Sequence, residues 1–297
     1  MKLAAIDIGS NAVRIKVIRV TYFNQQPQFK KIEYLRFPLV LGGEVFESQF
    51  ISPENEQRLT QLLQAFKILL TLYEVDDYTI CATASWREAN NGLTVKTNIE
   101  QALRISINVI DGNEEAALIS KAIQPFLKGG NYLHVEVGGG STEISFYKEQ
   151  TRAATRSFRL GSIRKHAPPD SEEVWADMEA WIYEQKRHYR DRLIGIATGG
   201  NIRKLAQIIG RNKKEILSVK RLAASQRYTA SYSLAERINV LQLNPDRAES
   251  ILPASEIYLA AMQWGEVKHT LVPDVGLRDG IIKKLYEKRV RSRGERS

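Results

Sequence analysis

Two glycine-rich turns, each opening with a carboxylate, carry the residues of this chain that are best suited to chemistry. The first runs Asp7-Ile8-Gly9-Ser10-Asn11, and the second runs Glu136-Val137-Gly138-Gly139-Gly140-Ser141-Thr142. Glycine lets a backbone approach an anion closely, and Ser, Thr and Asn side chains add hydrogen-bond donors. A carboxylate beside an anion site is favourable when a hard cation such as Mg²⁺ lies between them. The pattern therefore predicts metal-assisted phosphoryl chemistry.

A third turn of the same kind, Ala197-Thr198-Gly199-Gly200-Asn201, again follows an apolar run and precedes a helix-like stretch. A single glycine-rich hairpin is most often only structural, because such turns are common in strand connections. Two turns of the form acid-x-Gly followed by small polar residues indicate a duplicated unit. Three turns together favour one anion-binding site over three unrelated bends.

The elements around these turns predict two related α/β domains. Apolar alternation predicts strands near residues 3–8, 13–22 and 30–36, and Ser52-Pro53 opens a long amphipathic helix. The same order restarts at Asn131. We therefore expect two ribonuclease-H-like domains of the actin, hexokinase and Hsp70 type, at residues 1–124 and 125–297, with a phosphate-binding cleft between them.

Composition narrows the function classes. The 297 residues are 43% hydrophobic and 26% charged, with a net charge of +9, which is typical of a soluble globular protein. No apolar stretch is long enough for a membrane span and no signal-peptide pattern opens the chain, so a cytoplasmic location is expected.

The lone Cys81 excludes an intrachain disulfide. Basic segments such as Lys213-Lys214 and Lys283-Lys284 onward are either a solvated surface or an attraction for a polyanion; no nucleic-acid motif accompanies them.

These residues resemble the exopolyphosphatase and guanosine pentaphosphate phosphohydrolase (Ppx/GppA) family, a branch of the actin-like ATPase superfamily. The resemblance covers nearly the whole chain. Its further carriers, in the order and spacing of that family, are Ala82-Thr83-Ala84-Ser85-Trp86-Arg87-Glu88-Ala89, Asp111-Gly112-Asn113-Glu114-Glu115-Ala116, Leu160-Gly161-Ser162, Asp246-Arg247-Ala248 and Gly276-Leu277-Arg278-Asp279-Gly280.

The resemblance implies an enzyme that releases terminal phosphate from inorganic polyphosphate or guanosine pentaphosphate. It implies Glu115 as the catalytic base, with Glu114 as the substitute, and Arg87 as fixed positive charge for the transition state. Mg²⁺, or Mn²⁺ in its place, would be held by Asp7, Glu136 and Glu143. Phosphate would be held by Gly9, Ser10, Asn11, Arg14, Gly138, Gly139, Gly140, Ser141, Thr142, Gly199 and Gly200.

Three departures from the family pattern keep alternatives open. Glu136 stands where that family usually has Asp, and Val40 and Ala117 stand where it commonly has Arg. These changes favour, as an alternative, a catalytically weak sensor that binds polyphosphate or a nucleotide. An actin-like kinase or ATPase is a third reading, disfavoured by the Glu114-Glu115 pair. Neither a membrane nor a nucleic acid is an expected partner, and the oligomeric state, including a homodimer, stays open.

Overall fold

The computed structural model describes residues 1–164, 170–208, 210 and 216–294. The basic pair Lys213-Lys214 lies outside these residues. The chain forms two compact units: unit 1 comprises Met1–Ala122 together with Leu277–Ser297, and unit 2 comprises Ile123–Gly276. Throughout the described ranges, no helix combines the length and the apolar character that crossing a membrane requires.

From the N-terminus to residue 123, the elements are, in order, β1 (Lys2–Ile8), β2 (Val13–Phe23), β3 (Gln26–Phe37), α1 (Leu41–Ser48), α2 (Pro53–Leu72), β4 (Asp77–Ala82), α3 (Ala84–Glu88), α4 (Gly92–Leu103), β5 (Ile107–Val109) and α5 (Gly112–Ile123). A short 3₁₀ turn, Gln124–Phe126, follows. The remaining elements are β6 (Asn131–Val137), β7 (Thr142–Lys148), β8 (Thr151–Phe158), α6 (Asp170–Lys186), β9 (Leu193–Thr198), α7 (Gly200–Ile208), β10 (Leu217–Ser218), α8 (Val219–Ala230), α9 (Leu234–Asn239), α10 (Pro245–Trp264), β11 (His269–Leu271) and α11 (Leu277–Gly294).

Each unit is built on one mixed sheet. In unit 1 the strand order is β3-β2-β1-β4-β5, where β2 is antiparallel to both of its neighbours while β1, β4 and β5 run parallel. In unit 2 the order β8-β7-β6-β9-β11 repeats this plan, with β10 added antiparallel at the edge. The order 3-2-1-4-5 is that of the ribonuclease-H-like fold, so the predicted fold class is confirmed in both halves.

The central strands end where the glycine-rich turns begin. Strand β1 is buried almost along its whole length, and in its register Asp7 pairs with Arg14 of β2 and with Cys81 of β4. Strand β6 holds the matching place in unit 2, where Glu136 pairs with Glu143 of β7 and with Thr198 of β9. The polar residues of each turn therefore lie at the carboxyl end of a central strand, the place where open α/β sheets bind ligands.

The predicted domain limits need one correction. Unit 2 begins within two residues of the predicted boundary, but residues 277–297 belong to unit 1 rather than to the second domain. Helix α11 packs against β1, and its Gly280 crosses α5 so closely that an added Cβ would stand 3.0 Å from Leu118 Cα. Asp279 also pairs with Lys16 at 2.5 Å. These contacts join residues far apart in sequence, which is why a reading along the chain missed them.

Candidate functional site

The first glycine turn leaves room for a guanidinium group. The Gly9 amide donates to the Ala12 carbonyl at 3.1 Å, which closes the hairpin, and Ser10 is held by the Gly42 amide, which donates to its carbonyl at 2.8 Å. Gly9 does not adopt a left-handed backbone conformation. A side chain at position 9 would crowd Arg14 instead, because its Cβ would lie 3.1 Å from Nη1 of Arg14. Ser10 and Asn11 are both buried in this turn.

Asp7 is engaged by two arginines. Its Oδ2 accepts from Arg14 Nη1 at 3.0 Å and from Arg278 Nη1 at 2.7 Å, and the Asp7 side chain is only 6% exposed. Arg278 also stacks over the ring of Tyr34 at 5.3 Å. Charge-assisted bonds of this kind orient a guanidinium strongly. Asp7 therefore holds Arg14 and Arg278 in place, and Arg278 is a residue of this cluster that sequence reasoning did not assign to the site.

The two glutamates at the start of α5 have different surroundings. Asp111 caps the helix, since its Oδ1 accepts from the Glu114 amide at 2.8 Å. The Glu114 side chain is 43% exposed and pairs with Lys284 at 3.1 Å. The Glu115 side chain is only 12% exposed, and its Oε2 lies 3.8 Å from Nη1 of Arg87. The structure thus separates a surface glutamate, Glu114, from a sheltered one, Glu115.

Arg87 is held in place by hydrogen bonds to two backbone carbonyl groups. It lies in the short helix α3, where its amide donates to the Thr83 carbonyl at 3.2 Å. Its Nη1 donates to the Ile110 carbonyl at 2.7 Å, directly before the α5 start. A side chain held at both ends loses little further freedom when it meets an anion. The predicted pair of Arg87 and Glu115 is therefore brought together and oriented within unit 1.

The second glycine turn is held from one side by the segment that follows β8. The Gly138 carbonyl accepts from the Ser162 amide at 3.0 Å, and the Gly139 carbonyl accepts from the Ile163 amide at 3.0 Å. The Gly140 carbonyl accepts from Arg164 Nε at 2.7 Å. All three carbonyl groups in a row thus point toward residues 162–164.

This orientation determines where the amides of the same peptides point. In a trans peptide the C=O of one residue and the N–H of the next point in opposite directions. The N–H groups of Gly139, Gly140 and Ser141 therefore point away from residues 162–164. Successive amides on one side of a turn form a concave anion site. The geometry supports the predicted phosphate role for these three residues through their backbones.

Two other predicted phosphate residues serve the turn itself. The Gly138 amide donates to the Ser141 carbonyl at 2.9 Å and so closes the loop. The Thr142 hydroxyl is fully buried and donates to the Leu160 carbonyl at 2.6 Å. Because each donor is already used, these two groups shape the site rather than bind phosphate. The Ser141 hydroxyl likewise donates to Glu143 Oε1 at 2.8 Å.

Gly161 determines how closely the two segments approach. An added Cβ at Gly161 would lie 2.5 Å from the Gly139 carbonyl carbon and 2.6 Å from the Gly140 nitrogen. Real Cβ atoms do not come this close to backbone, so only glycine fits. The sequence signal for this contact was the Leu160-Gly161-Ser162 motif, although the motif alone gave no reason for the glycine.

The third glycine turn follows β9 and needs glycine for its conformation. Gly199 has a φ of +120°, and an added Cβ there would lie 2.6 Å from the hydroxyl of Tyr258. That hydroxyl donates to the Thr198 carbonyl and accepts from the Val137 amide at 3.0 Å. Arg247 donates through Nη1 to the Gly200 carbonyl. Tyr258 and Arg247 on α10 thus fix the turn. Arg247 belongs to the Asp246-Arg247-Ala248 motif found in the sequence, whereas no sequence pattern indicated Tyr258.

Glu136 and Glu143, the two predicted metal ligands in unit 2, both accept hydrogen bonds from hydroxyl groups. Glu143, which is 1% exposed, accepts on Oε1 from Ser141 and from Ser157, each at 2.8 Å. Glu136 accepts on Oε2 from the Thr198 hydroxyl. The same hydroxyl lies 2.9 Å from Nε2 of His134, whose pKa burial lowers to about 3. His134 is therefore a neutral imidazole at physiological pH.

The carboxylates differ in how well they suit a hard cation. Within the residues that the structure describes, no cluster of three His, Cys, Asp or Glu side chains is arranged to hold a metal. Mg²⁺ commonly uses only one or two carboxylates and completes its shell with water and substrate phosphates. Glu136 and Glu143, oriented by neutral hydroxyls, fit that donor set. Asp7 does not, because two guanidinium groups already balance its charge.

Comparison with known proteins places the chain in a family. The family model described as the Ppx/GppA phosphatase family matches residues 24–289. The chain belongs to the Ppx/GppA phosphatase family. Among its curated relatives is the guanosine-5'-triphosphate,3'-diphosphate pyrophosphatase of Aliivibrio fischeri, 25% identical over 94% of this chain and 58% of the relative.

A second relative of this Ppx/GppA chain is the bifunctional 3-dehydroquinate synthase/phosphatase of Fusobacterium nucleatum, 28% identical over 65% of this chain and 32% of the relative. The chain thus spans about one third to three fifths of the length of these two proteins. An exopolyphosphatase structure from Cytophaga hutchinsonii superposes with a TM-score of 0.83 at 19% identity, over 97% of this chain and 98% of that one. This likeness shows the fold.

Proposed function

We propose that this chain hydrolyses the terminal phosphoanhydride bond of inorganic polyphosphate, guanosine pentaphosphate or both. The observation that carries the proposal is the 3.8 Å contact between Glu115 Oε2, at the start of α5, and Nη1 of Arg87, in α3. A carboxylate beside a fixed cation, at a capped helix start, suits attack by water on a phosphoryl group. Family membership and the name of the Aliivibrio fischeri relative support the substrate class.

In the proposed reaction, the Glu115 carboxylate accepts a proton from water as the water oxygen forms a bond to the terminal phosphorus. The bridging P–O bond breaks, and its electron pair leaves with the shortened phosphate chain. Arg87 stabilises the charge that spreads over the phosphoryl oxygens. Arg87 is suited to this role because the Ile110 carbonyl holds its guanidinium in place.

Unit 2 supplies the other part of the proposal, which is phosphate binding by backbone amides. The N–H groups of Gly139, Gly140 and Ser141 would donate to phosphate oxygens. The amide donors are fixed in advance by residues 162–164, so binding costs little loop entropy. In unit 1, the guanidinium of Arg14, anchored by Asp7, would add positive charge for a phosphate.

Mg²⁺ is the cofactor in this proposal, with Mn²⁺ as its substitute. Glu136 and Glu143 would hold it, directly or through water. When bound, the ion would neutralise phosphate charge and act as a Lewis acid. The proposal predicts loss of phosphate release in excess chelator and recovery when Mg²⁺ is returned; undiminished release from metal-free protein would contradict it.

The sharpest test of the proposed function compares Glu115→Gln with Glu114→Gln. Both variants remove one charge at the same helix start, so they match in their effect on the helix dipole and on net charge. Glu115→Gln should lower turnover by about 10²- to 10⁴-fold, the usual contribution of a general base. Glu114→Gln should keep turnover near wild type, since its side chain faces Lys284. Equal activities of the two variants would exclude Glu115 as the base.

A polyphosphate- or nucleotide-binding sensor remains the second candidate, favoured by Glu136, Val40 and Ala117. Phosphate release from polyphosphate, guanosine pentaphosphate and ATP, measured side by side with Mg²⁺, separates the two. A hydrolase releases phosphate from one of the first two substrates. A sensor binds the same anions with no release above the Glu115→Gln background.

A further inference from the structure

We propose that His134 is a positioning residue that acts through the Thr198 hydroxyl to fix the carboxylate of Glu136. The inference rests on the proposed function, in which Glu136 is a ligand for the metal. Nothing in the sequence pattern pointed to His134, because its neighbours in β6 are apolar and it belongs to no motif.

The strand register brings the three side chains to one face of the unit 2 sheet. In β6, Leu133, Val135 and Val137 belong to the hydrophobic core, so His134 and Glu136 face the other side. Strand β9 runs parallel to β6 and places Thr198 directly beside Glu136. The Thr198 hydroxyl therefore lies within reach of both polar residues.

The hydrogen atoms in this chain of contacts can be assigned. An ionised carboxylate only accepts, so the Thr198 hydroxyl donates its single hydrogen to Glu136 Oε2. The hydroxyl oxygen then has only lone pairs to offer to His134 Nε2, which lies 2.9 Å away. His134 must donate through Nε2–H. This requirement fixes the imidazole as the Nε2–H tautomer.

The backbone of the middle residue is fixed independently. The Tyr258 hydroxyl donates to the Thr198 carbonyl and accepts from the Val137 amide. With the main chain held at this point, the Thr198 hydroxyl oxygen can move only by rotation of χ1. The hydrogen bonds from His134 and to Glu136 select one rotamer.

The arrangement matters because residue 136 is glutamate. Its side chain has one more rotatable bond than aspartate, and ordering that bond costs conformational entropy when a ligand binds. A hydrogen bond from Thr198 restricts it before binding. Groups that orient a metal-binding carboxylate in this way are worth about 10- to 100-fold in metal affinity. His134 and Thr198 thus compensate for the longer side chain.

A double-mutant cycle on the full chain tests this inference, with Mn²⁺ alone as the probe and its dissociation constant as the readout. His134→Leu and Thr198→Val should each weaken Mn²⁺ binding by about 10-fold or more. Together they should weaken it no further than either alone, because both break the same chain of hydrogen bonds. Additive effects would overturn the inference, since a merely structural histidine has no reason to act through Thr198.

Conservative variants and a spectroscopic measurement keep the test valid if the leucine variant fails to fold. Thr198→Ser keeps a hydroxyl and His134→Gln keeps an N–H donor, so both should keep most of the wild-type Mn²⁺ affinity. In the wild-type protein, ¹⁵N chemical shifts of the imidazole at a single neutral pH should report the Nε2–H tautomer. An Nδ1–H tautomer would refute the proposed hydrogen-bond chain without any mutation.

Glu136→Gln separates the two proposals. If it weakens Mn²⁺ binding while His134→Leu does not, Glu136 is a ligand and only the role of His134 is refuted. If Glu136→Gln leaves both Mn²⁺ affinity and turnover unchanged, Glu136 has no metal role, and the inference about His134 fails with it.

Discussion

Gly161→Ala should distort the glycine turn at residues 138–141, which we propose binds phosphate, although Gly161 is not itself a proposed phosphate ligand. The added methyl carbon would stand 2.5 Å from the Gly139 carbonyl carbon and 2.6 Å from the Gly140 nitrogen, whereas ordinary van der Waals contacts begin at 3.4 Å. The atoms in the way are backbone, which cannot rotate aside as a side chain can. The loop must therefore retreat by about 1 Å.

The size of the effect follows from this displacement. Overpacking of a tight site costs about 1–3 kcal/mol, which for a protein of this size lowers Tm by about 2–12 °C. A shift of about 1 Å in groups that position a substrate can cost about 10²-fold in rate. The amides of Gly139, Gly140 and Ser141 would move together, so we expect kcat/KM for phosphate release to fall by about that factor.

The assay measures phosphate release and thermal unfolding for Gly161→Ala beside Gly43→Ala. Gly43 is a matched control because it lies in helix α1, where an added Cβ meets only Val40 Cγ1 at 3.6 Å. Alanine is favoured over glycine in a helix by about 0.5–1 kcal/mol, so the control should keep its activity and lose no stability. A Gly161→Ala protein with the kcat/KM and Tm of wild type would refute the proposed contact between the two segments.

Three further predictions concern other parts of the molecule. Glu136→Asp, which shortens the side chain by about 1.5 Å, should lose the Thr198 contact and weaken Mn²⁺ binding; a gain in affinity by isothermal titration would contradict this. Burial raises the pKa of the Cys81 thiol from 9.0 to about 12, so the folded thiol keeps its proton when the unfolded one loses it. The thiol should therefore lower the free energy of unfolding as pH rises from about 9 to 12, by up to about 1.4 kcal/mol per pH unit. Urea unfolding of Cys81→Ala should show a smaller decline than wild type, although not none, because burial also raises the pKa of tyrosines such as Tyr258. Finally, the surplus of Lys and Arg predicts that the Michaelis constant for long polyphosphate rises with salt as the Debye length shortens to about 8–10 Å, while short chains respond less; equal responses would make the basic segments a solvated surface only.

The sequence was sufficient wherever a structural feature depends on neighbouring residues. The strands before each glycine turn, the helix opened by Ser52 and Pro53 and the repeated order of elements were all predicted, and the structure confirms them. Ser52 caps that helix because its hydroxyl lies three residues from the amide it serves. Such hydrogen bonds and alternation patterns act over a few residues, so they can be read from a short window of sequence.

The motifs also identified the Glu114-Glu115 pair, but tertiary structure separated its two members. Which glutamate is sheltered depends on Arg87, which precedes α5 in the sequence, and on Lys284, which follows Glu114 by 170 residues; both reach α5 only after folding. Asp7, which the resemblance implied as a metal ligand, is instead paired with two arginines, and one of them also comes from a distant part of the sequence. Arg14 was visible as a neighbour in the hairpin, whereas Arg278 stands 271 residues away in sequence.

Close contacts between segments that are far apart in the sequence could not be predicted from composition or from the spacing of motifs. Gly161 against the Gly139-Gly140 peptide, Gly280 against Leu118 and Tyr258 against Gly199 are each matters of a few tenths of an ångström. The sequence by itself determined the family, the fold of each half and the residue types that could meet phosphate. Only the tertiary structure decided which donors are already used, which peptide amides point away from residues 162–164, and that the Thr198 hydroxyl contacts both His134 and Glu136. Hydrogen-bond partners are selected by distance in space rather than along the chain.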